Sequence, residues 1–172
     1  MTGSRIERDV GFTSPVPVTA VTTDELTMLD PNTTLVDQLD ALPQFFQTQS
    51  AQRGGGVLFG SAGGSYLNMR GMGDQRTLIL IDGARTVPAD RNSRVNIDNI
   101  PTALLQRVEV VTGGASAAYG ADALAGVTNF ILDRQFEGLD LDLRTGVTSE
   151  GDGENFSLDI AGGTRLTERL HF

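Results

Sequence analysis

The chain has no cysteine, no lysine and a single histidine, His171, one residue from its end. Without cysteine there is no disulfide framework, no thiolate metal site and no cysteine nucleophile. One histidine leaves triad chemistry and zinc ligation almost no material. Without lysine there is no Walker A loop, whose lysine reaches the phosphates. All 13 cationic side chains are arginine, against 22 acids, giving a net charge of −9 and a pI near 4.4. That balance excludes nucleic acid as a partner, because phosphate neutralisation needs clustered cations in a basic domain. Long apolar runs are also missing. The longest weakly charged stretch, Val110 to Leu132, carries only Asp122 but is broken by Gly113, Gly114, Gly120 and Gly126, and so does not suit a membrane-spanning helix. Met1 to Asp9 (MTGSRIERD) lacks the basic-then-apolar pattern of a secretory signal.

What the chain has in excess is glycine, 21 of 172 residues, about 12% against a usual value near 7%. Thirteen of them fall between Arg53 and Leu132, a stretch with seven arginines and six acids, hence net +1. The 52 residues before it carry two arginines against seven acids, and the 40 after it four against nine, so both flanks stand at −5. The arginine- and glycine-rich middle therefore reads as the functional body. The overall length suits one domain of ordinary size.

Pro15 to Thr22 (PVPVTAVT) has the alternation of a short edge strand that tolerates prolines. Asp24 is suited to cap a brief helical turn. From Asn32 or Thr33 a helix is predicted, with Leu35, Val36, Leu39 and Leu42 on one face, ended by Pro43. Gln47 to Ser65 is a long polar, glycine-rich loop around the island Val57 to Phe59. Loops of that length are uncommon in compact domains and are usually binding loops or disordered. Tyr66 to Met69 and Thr77 to Ile81 are predicted strands, the second apolar throughout and so buried on both faces. Asp82 and Gly83 mark a tight hairpin into Ala84 to Val87. Pro88 to Asn99 is a second polar loop, Pro101 to Leu105 a helical turn, and Arg107 to Thr112 and Gly126 to Leu132 are strands. Beyond them Leu139, Leu141 and Leu143 alternate with charges, and after a polar turn Phe156, Leu158 and Ile160 alternate again. Two readings fit this last pattern: transmembrane barrel strands with one lipid face, or an ordinary antiparallel meander with one wet face.

Three segments, YLNMRGMG (66–73), TLILIDGARTV (77–87) and VEVVTGGASAAYGADALAGVTNFIL (108–132), together resemble the plug domain of TonB-dependent outer-membrane receptors. Thr2 to Ile6 (TGSRI) is similar to the stretch just after the TonB box of such receptors. The resemblance implies an α+β plug, a small mixed sheet with short helices and long loops, over residues 1–135. Residues 136–172 would be the first antiparallel strands of a truncated transmembrane β-barrel. The 34 residues from Leu139 onward suit about three strands, where plugged transporters have about 22. The chain is accordingly expected to be a fragment lacking signal peptide, TonB box and most of its barrel.

The resemblance further implies energy-coupled uptake of a ferric siderophore, vitamin B12 or carbohydrate. The implied partners are the chain's own barrel, TonB, the small-molecule ligand and the outer membrane, which is also the location of the complete receptor. Arg70 and Arg107 match family positions where arginines pair with barrel glutamates, a bidentate contact that locks yet breaks under force. They are equally ordinary surface residues by sequence. Phe59, Ser61, Tyr66, Arg91 and Arg94 lie in or beside the two long loops and are the candidate ligand contacts; a solvated charge is the alternative for Arg91 and Arg94. Phe45, Phe46 and Phe59 suit either ligand stacking or packing under the loops. No cofactor or metal site is expected, since the acidic turn Glu150 to Glu154 lacks calcium-loop spacing. Catalysis by Ser116 is disfavoured: GGASAAYG departs from a nucleophile elbow and no base is placed beside it. A separate soluble periplasmic binding or interaction protein that kept only the plug is the rival to the transporter reading.

Overall fold

The computed structural model describes residues 17–29, 33–50, 63–113, 115–134, 136–147, 154–167 and 170–171. Thr2 to Ile6, Phe59, Ser61 and most of the acidic turn at 150–154 lie outside the described residues. The elements in order are β1 (Val18–Thr22), α1 (Thr23–Leu29), α2 (Leu35–Asp40), β2 (Thr77–Ile81), β3 (Ala84–Arg85), β4 (Leu105–Val111), α3 (Ser116–Tyr119), β5 (Gly126–Leu132), β6 (Gly138–Val147), β7 (Glu154–Gly163), β8 (Arg165–Thr167) and β9 (Leu170–His171). Short 3-10 turns occur at Asp74–Arg76, Ile97–Asn99, Thr102–Leu104 and Ala121–Ala123.

Five strands form one mixed sheet in the order β1-β4-β5-β2-β3. Only β2 and β5 run parallel; the other neighbours are antiparallel. The apolar run of β2 is placed beside β5, and Thr77 to Leu80 are all buried. Strand alternation then divides the sheet into two covered faces. On one, Ile79, Val108, Val110 and Phe130 pack with Leu26 of α1, Leu35, Val36 and Leu39 of α2, and Phe45, Leu67, Met69, Ile97 and Ile100 from the connections. On the other, Leu78, Leu80, Val111 and Val127 pack with Ala115 and Ala123. The mixed sheet with short helices is the expected α+β architecture, and β1 is an edge strand as its prolines required.

Local chemistry explains the boundaries. Thr34 precedes α2; its carbonyl accepts the Asp37 and Gln38 N–H groups, and its hydroxyl donates to Asp37 Oδ2 at 2.6 Å. The β2–β3 turn has Asp82 at φ 48° and Gly83 at φ 78°, the two positive values that a tight hairpin of right-handed twist demands. Its Asp82 carboxylate accepts from Leu132 N–H at 3.0 Å and from Arg134, fastening the hairpin to the end of β5. Gly126 opens β5 at φ 149°, where any Cβ would run into Met69 Sδ and the Val111 carbonyl. Arg85 of β3 binds Asp122 and the Tyr119 carbonyl, closing the α3 region onto the hairpin.

Two expected strands are shorter or absent. Tyr66 to Met69 makes only isolated bridges, Gln49 with Tyr66 and Phe45 with Met69. The opposing chain is kinked at Gln47 (φ 57°), and between the bridges the Thr48 hydroxyl takes the Asn68 N–H, so no continuous ladder forms. The strand expected to reach Val87 stops at Arg85. There Thr86 turns its hydroxyl onto the Ile79 carbonyl and Pro88 has no N–H to offer.

Beyond residue 137 the chain forms a separate antiparallel ribbon, with β6 and β7 paired over ten residues each, Leu141 opposite Ile160 and Leu143 opposite Leu158. Leu139, Leu141, Leu143, Phe156, Leu158 and Ile160 are 52–70% exposed, so the apolar face of this ribbon is bare. No helix among the described residues is long and apolar enough to cross a membrane, which says nothing about strands.

Candidate functional site

The polar loop between β3 and β4 owes its shape to Asp90. Its Oδ1 accepts from the N–H groups of Asn92 at 2.9 Å and Arg94 at 3.3 Å. The Ala89 N–H donates to the Arg94 carbonyl at 2.7 Å and that of Ser93 to the Asp90 carbonyl at 3.1 Å, so residues 89–94 close into a ring. Asparagine and aspartate favour such closures because their short polar side chains reach their own backbone two residues on. Arg91 sits on the outside of this ring, exposed and with no side-chain partner among the described residues.

Arg94 points the other way, with its side chain 9% exposed. Its Nε and Nη2 donate to Asp90 Oδ2 at 2.7 and 2.5 Å, and its Nη1 to Asp74 Oδ2 at 3.4 Å. The guanidinium lies over the Tyr66 ring, 4.5 Å from the centroid. Burial alone would raise the Asp90 carboxyl, but the Arg94 guanidinium and the Arg94 and Asn92 N–H groups outweigh it and hold it below the usual carboxylate range. Burial would likewise lower Arg94, and its two acids reverse that. Both donors converge on the one Asp90 oxygen, and breaking the pair leaves the nearly buried Arg94 charge uncompensated.

The loop's base is laced to the segment before Tyr66. The Ile97 N–H donates to the Ser65 carbonyl at 3.0 Å, and the Ser65 N–H is shared between Asn96 Oδ1 at 3.0 Å and Asp98 Oδ2 at 3.1 Å. Tyr66 exchanges backbone bonds with Gln49 at 2.9 and 3.0 Å. A Cβ at Gly64 would lie 2.6 Å from the Tyr66 hydroxyl, so only glycine leaves the ring its place.

Of the residues singled out by sequence, Tyr66 and Arg94 are therefore brought into contact in the interior, while Arg91, in the same loop as Arg94, faces outward. Sequence reasoning missed Asp74, Asp90 and Gly64. Asp90 had a signal, since it stands four residues before Arg94, whereas Asp74 had none. Phe45 is buried in the core, while Phe46 is 62% exposed and leans over Gly71.

Arg70 and Arg107 are not neighbours of this cluster. Arg70 is exposed at φ 57° in the turn after Met69, and its side chain has no partner among the described residues. Arg107 lies on β4 and is already engaged, its Nε donating to Glu109 Oε1 at 3.1 Å and Nη1 to Gln106 Oε1 at 2.5 Å. Alternation places Arg107 and Glu109 on one face of β4, and Glu109 is buried there. Ser116 begins α3 with no side-chain bond to a base among the described residues. No group of three or more His, Cys, Asp or Glu among them is arranged to hold a metal.

Residues 11–127 match the family model described as TonB-dependent Receptor Plug Domain. Among solved structures, the chain is similar to the siderophore receptor PirA from Pseudomonas aeruginosa, at 26% identity and a TM-score of 0.58, over 93% of the chain and 27% of that receptor. It is similar to a variant of the ferric enterobactin receptor PfeA from the same organism, at 25% identity and a TM-score of 0.65, over 91% of the chain and 23% of the receptor. The ferric yersiniabactin uptake receptor FyuA from Yersinia pestis shares the fold at 20% identity and a TM-score of 0.55, over 89% of the chain and 22% of that protein. The chain thus spans about a quarter of the length of these receptors.

Proposed function

Because this chain belongs to the plug-domain family of TonB-dependent receptors, we propose that it is the plug and first barrel strands of an outer-membrane transporter that gates energy-coupled uptake of a ferric siderophore. The observation that carries the reading is the junction at residues 133–137. On one side is a sheet covered on both faces; on the other is an antiparallel ribbon whose large apolar side chains Leu139, Leu141, Leu143, Phe156, Leu158 and Ile160 are bare. Strands of ten residues with one apolar face have the length and pattern a transmembrane barrel strand requires, roughly 9–11 residues each. The ligand class is supported by receptors of 25–26% identity that bear siderophore names. On this reading plug residues run to about residue 135 and barrel residues from 136. The role is binding and gating, driven through TonB, with no catalytic step.

Arg91 then presents a guanidinium toward an anionic chelate, with Phe59 and Ser61 as further contacts of the first loop. Arg70, exposed and unpaired among the described residues, is the first candidate to grip a barrel carboxylate, and Arg107 the second, through exchange or sharing of its Glu109 contact. Arg70→Ala in the complete receptor is expected to leave ligand affinity within about twofold while speeding amide exchange in the plug; unchanged exchange removes the anchoring role.

The function itself is tested in a strain stripped of its own siderophore receptors and supplied with the complete receptor. Uptake of iron from ferric enterobactin that stops when the proton gradient is collapsed is the expected result. Uptake of vitamin B12 or a carbohydrate instead would replace the ligand class. A soluble periplasmic product with no uptake would replace the transporter by the stand-alone binding protein.

A further inference from the structure

We propose that Arg94 and Tyr66 are positioning residues, which fix the 88–96 loop on the 63–66 segment and thereby set where Arg91 is presented to an anionic ligand; the ligand half of this rests on the function proposed above. The loop's own closure through Asp90 shapes residues 89–94 but does not locate them, because all of those bonds are internal to the loop. Location comes from outside. Asp74 stands in the 3-10 turn leading into β2, and Tyr66 is held by its bridge to Gln49. Asn96 ties the far end of the loop to Ser65, and among the described residues only the Arg94 guanidinium reaches both Asp74 and Tyr66, bonding Asp74 with one nitrogen and laying its plane on the Tyr66 ring.

The chemistry requires arginine. A planar fork satisfies two carboxylates from its edge while stacking through its face, which a lysine ammonium does not do. The ring in turn has one place to stand, with the Gly64 backbone beside its hydroxyl and the guanidinium over its face. Asp90 is engaged by Arg94, so the exposed guanidinium three residues before Arg94 keeps its charge free for a ligand.

Amide hydrogen exchange on the complete receptor without ligand reads the positioning role directly. In Arg94→Gln the amides of Asn92 and of Ser65 are expected to exchange at least about tenfold faster, with Val108 and Val127 of the central strands unchanged. Ser65 is the diagnostic group, because its N–H is bonded to Asn96 and Asp98 and not to Arg94. Tyr66→Leu should give the same pattern, Arg94→Lys should not restore Ser65, and either variant decides the matter if Arg94→Gln fails to assemble. Acceleration confined to residues 89–94, or none, overturns the proposal. Binding of ferric enterobactin then reads the ligand half. Arg91→Gln should weaken it in the unsubstituted receptor and have little further effect on top of Arg94→Gln; additive losses overturn presentation by Arg94. If the unsubstituted receptor does not bind ferric enterobactin, the ligand class proposed above falls, and exchange alone decides the clamp.

Discussion

The five-stranded sheet and the β6–β7 ribbon are both built from alternating strands, yet they stand in opposite relations to solvent. Phe130, at the centre of the sheet, is fully buried; Phe156, in the ribbon, is 70% exposed. The sheet finds cover for both faces within its own sequence, from the α1–α2 pair on one side and the α3 region on the other. The apolar face of the ribbon has no cover among the described residues. A two-stranded ribbon buries too little to be stable in water by itself, so its apolar face calls for a further cover, whether more strands, another protein surface or lipid. Alternation alone therefore says that one face is to be buried. It does not say whether protein or lipid will bury it.

The comparison is broken most severely at Phe130. Phe130→Ala should cost about 3–5 kcal/mol by the cavity it leaves, whereas Phe156→Ala should shift the sheet's unfolding midpoint hardly at all; denaturant titration of both variants checks the pair. Glycine sharpens it next. Gly126→Ala meets Met69 Sδ and the Val111 carbonyl at a φ that favours glycine, and should cost about 3 kcal/mol or more. Gly138 has a comparable φ of 132° but open space around it, so Gly138→Ala should cost about 1 kcal/mol from backbone strain alone. Leu141→Arg probes the ribbon in its proposed medium. It should leave the sheet's stability unchanged but impair barrel assembly in lipid by about 2–4 kcal/mol; normal assembly would point to a wet face and the soluble reading. The smallest effect is expected at Asp122, whose carboxyl is held below its ordinary range by the Arg85 hydrogen bond against the opposing effect of burial. Because its folded value lies below the unfolded one, the contribution is present above the ordinary carboxylate range and is lost as pH falls through the lowered value. With both side chains substantially exposed, it is worth under about 1 kcal/mol, and it should vanish from the acid limb of a stability profile in Asp122→Asn.

Most of the sheet was legible because its signals are local. The apolar run Thr77–Ile81, the alternation of β4 and β5, and the Asp82–Gly83 turn each carry their instruction within a few residues. The segment 66–69 was misleading for the opposite reason. Its composition favours a strand, but a ladder needs a straight partner, and Gln47 kinks the one available. The site was legible only as a set of residue types. Arg91 and Arg94 are both arginines in one polar loop, and sequence treats them alike; one faces solvent and the other closes on Asp90.

By itself the sequence determined the family, the alternation within most strands, the absence of thiol and lysine chemistry, and the apolar stripe of Leu139, Leu141, Leu143, Phe156, Leu158 and Ile160. Tertiary structure alone decided which arginine faces solvent and which closes on Asp90, and which apolar face is covered and which is left bare. The reason is one of range. Backbone preference and periodicity act over a handful of residues, whereas Arg94 takes its meaning from Asp74, 20 positions earlier, and from a ring at Tyr66 that only the folded chain brings within 4.5 Å.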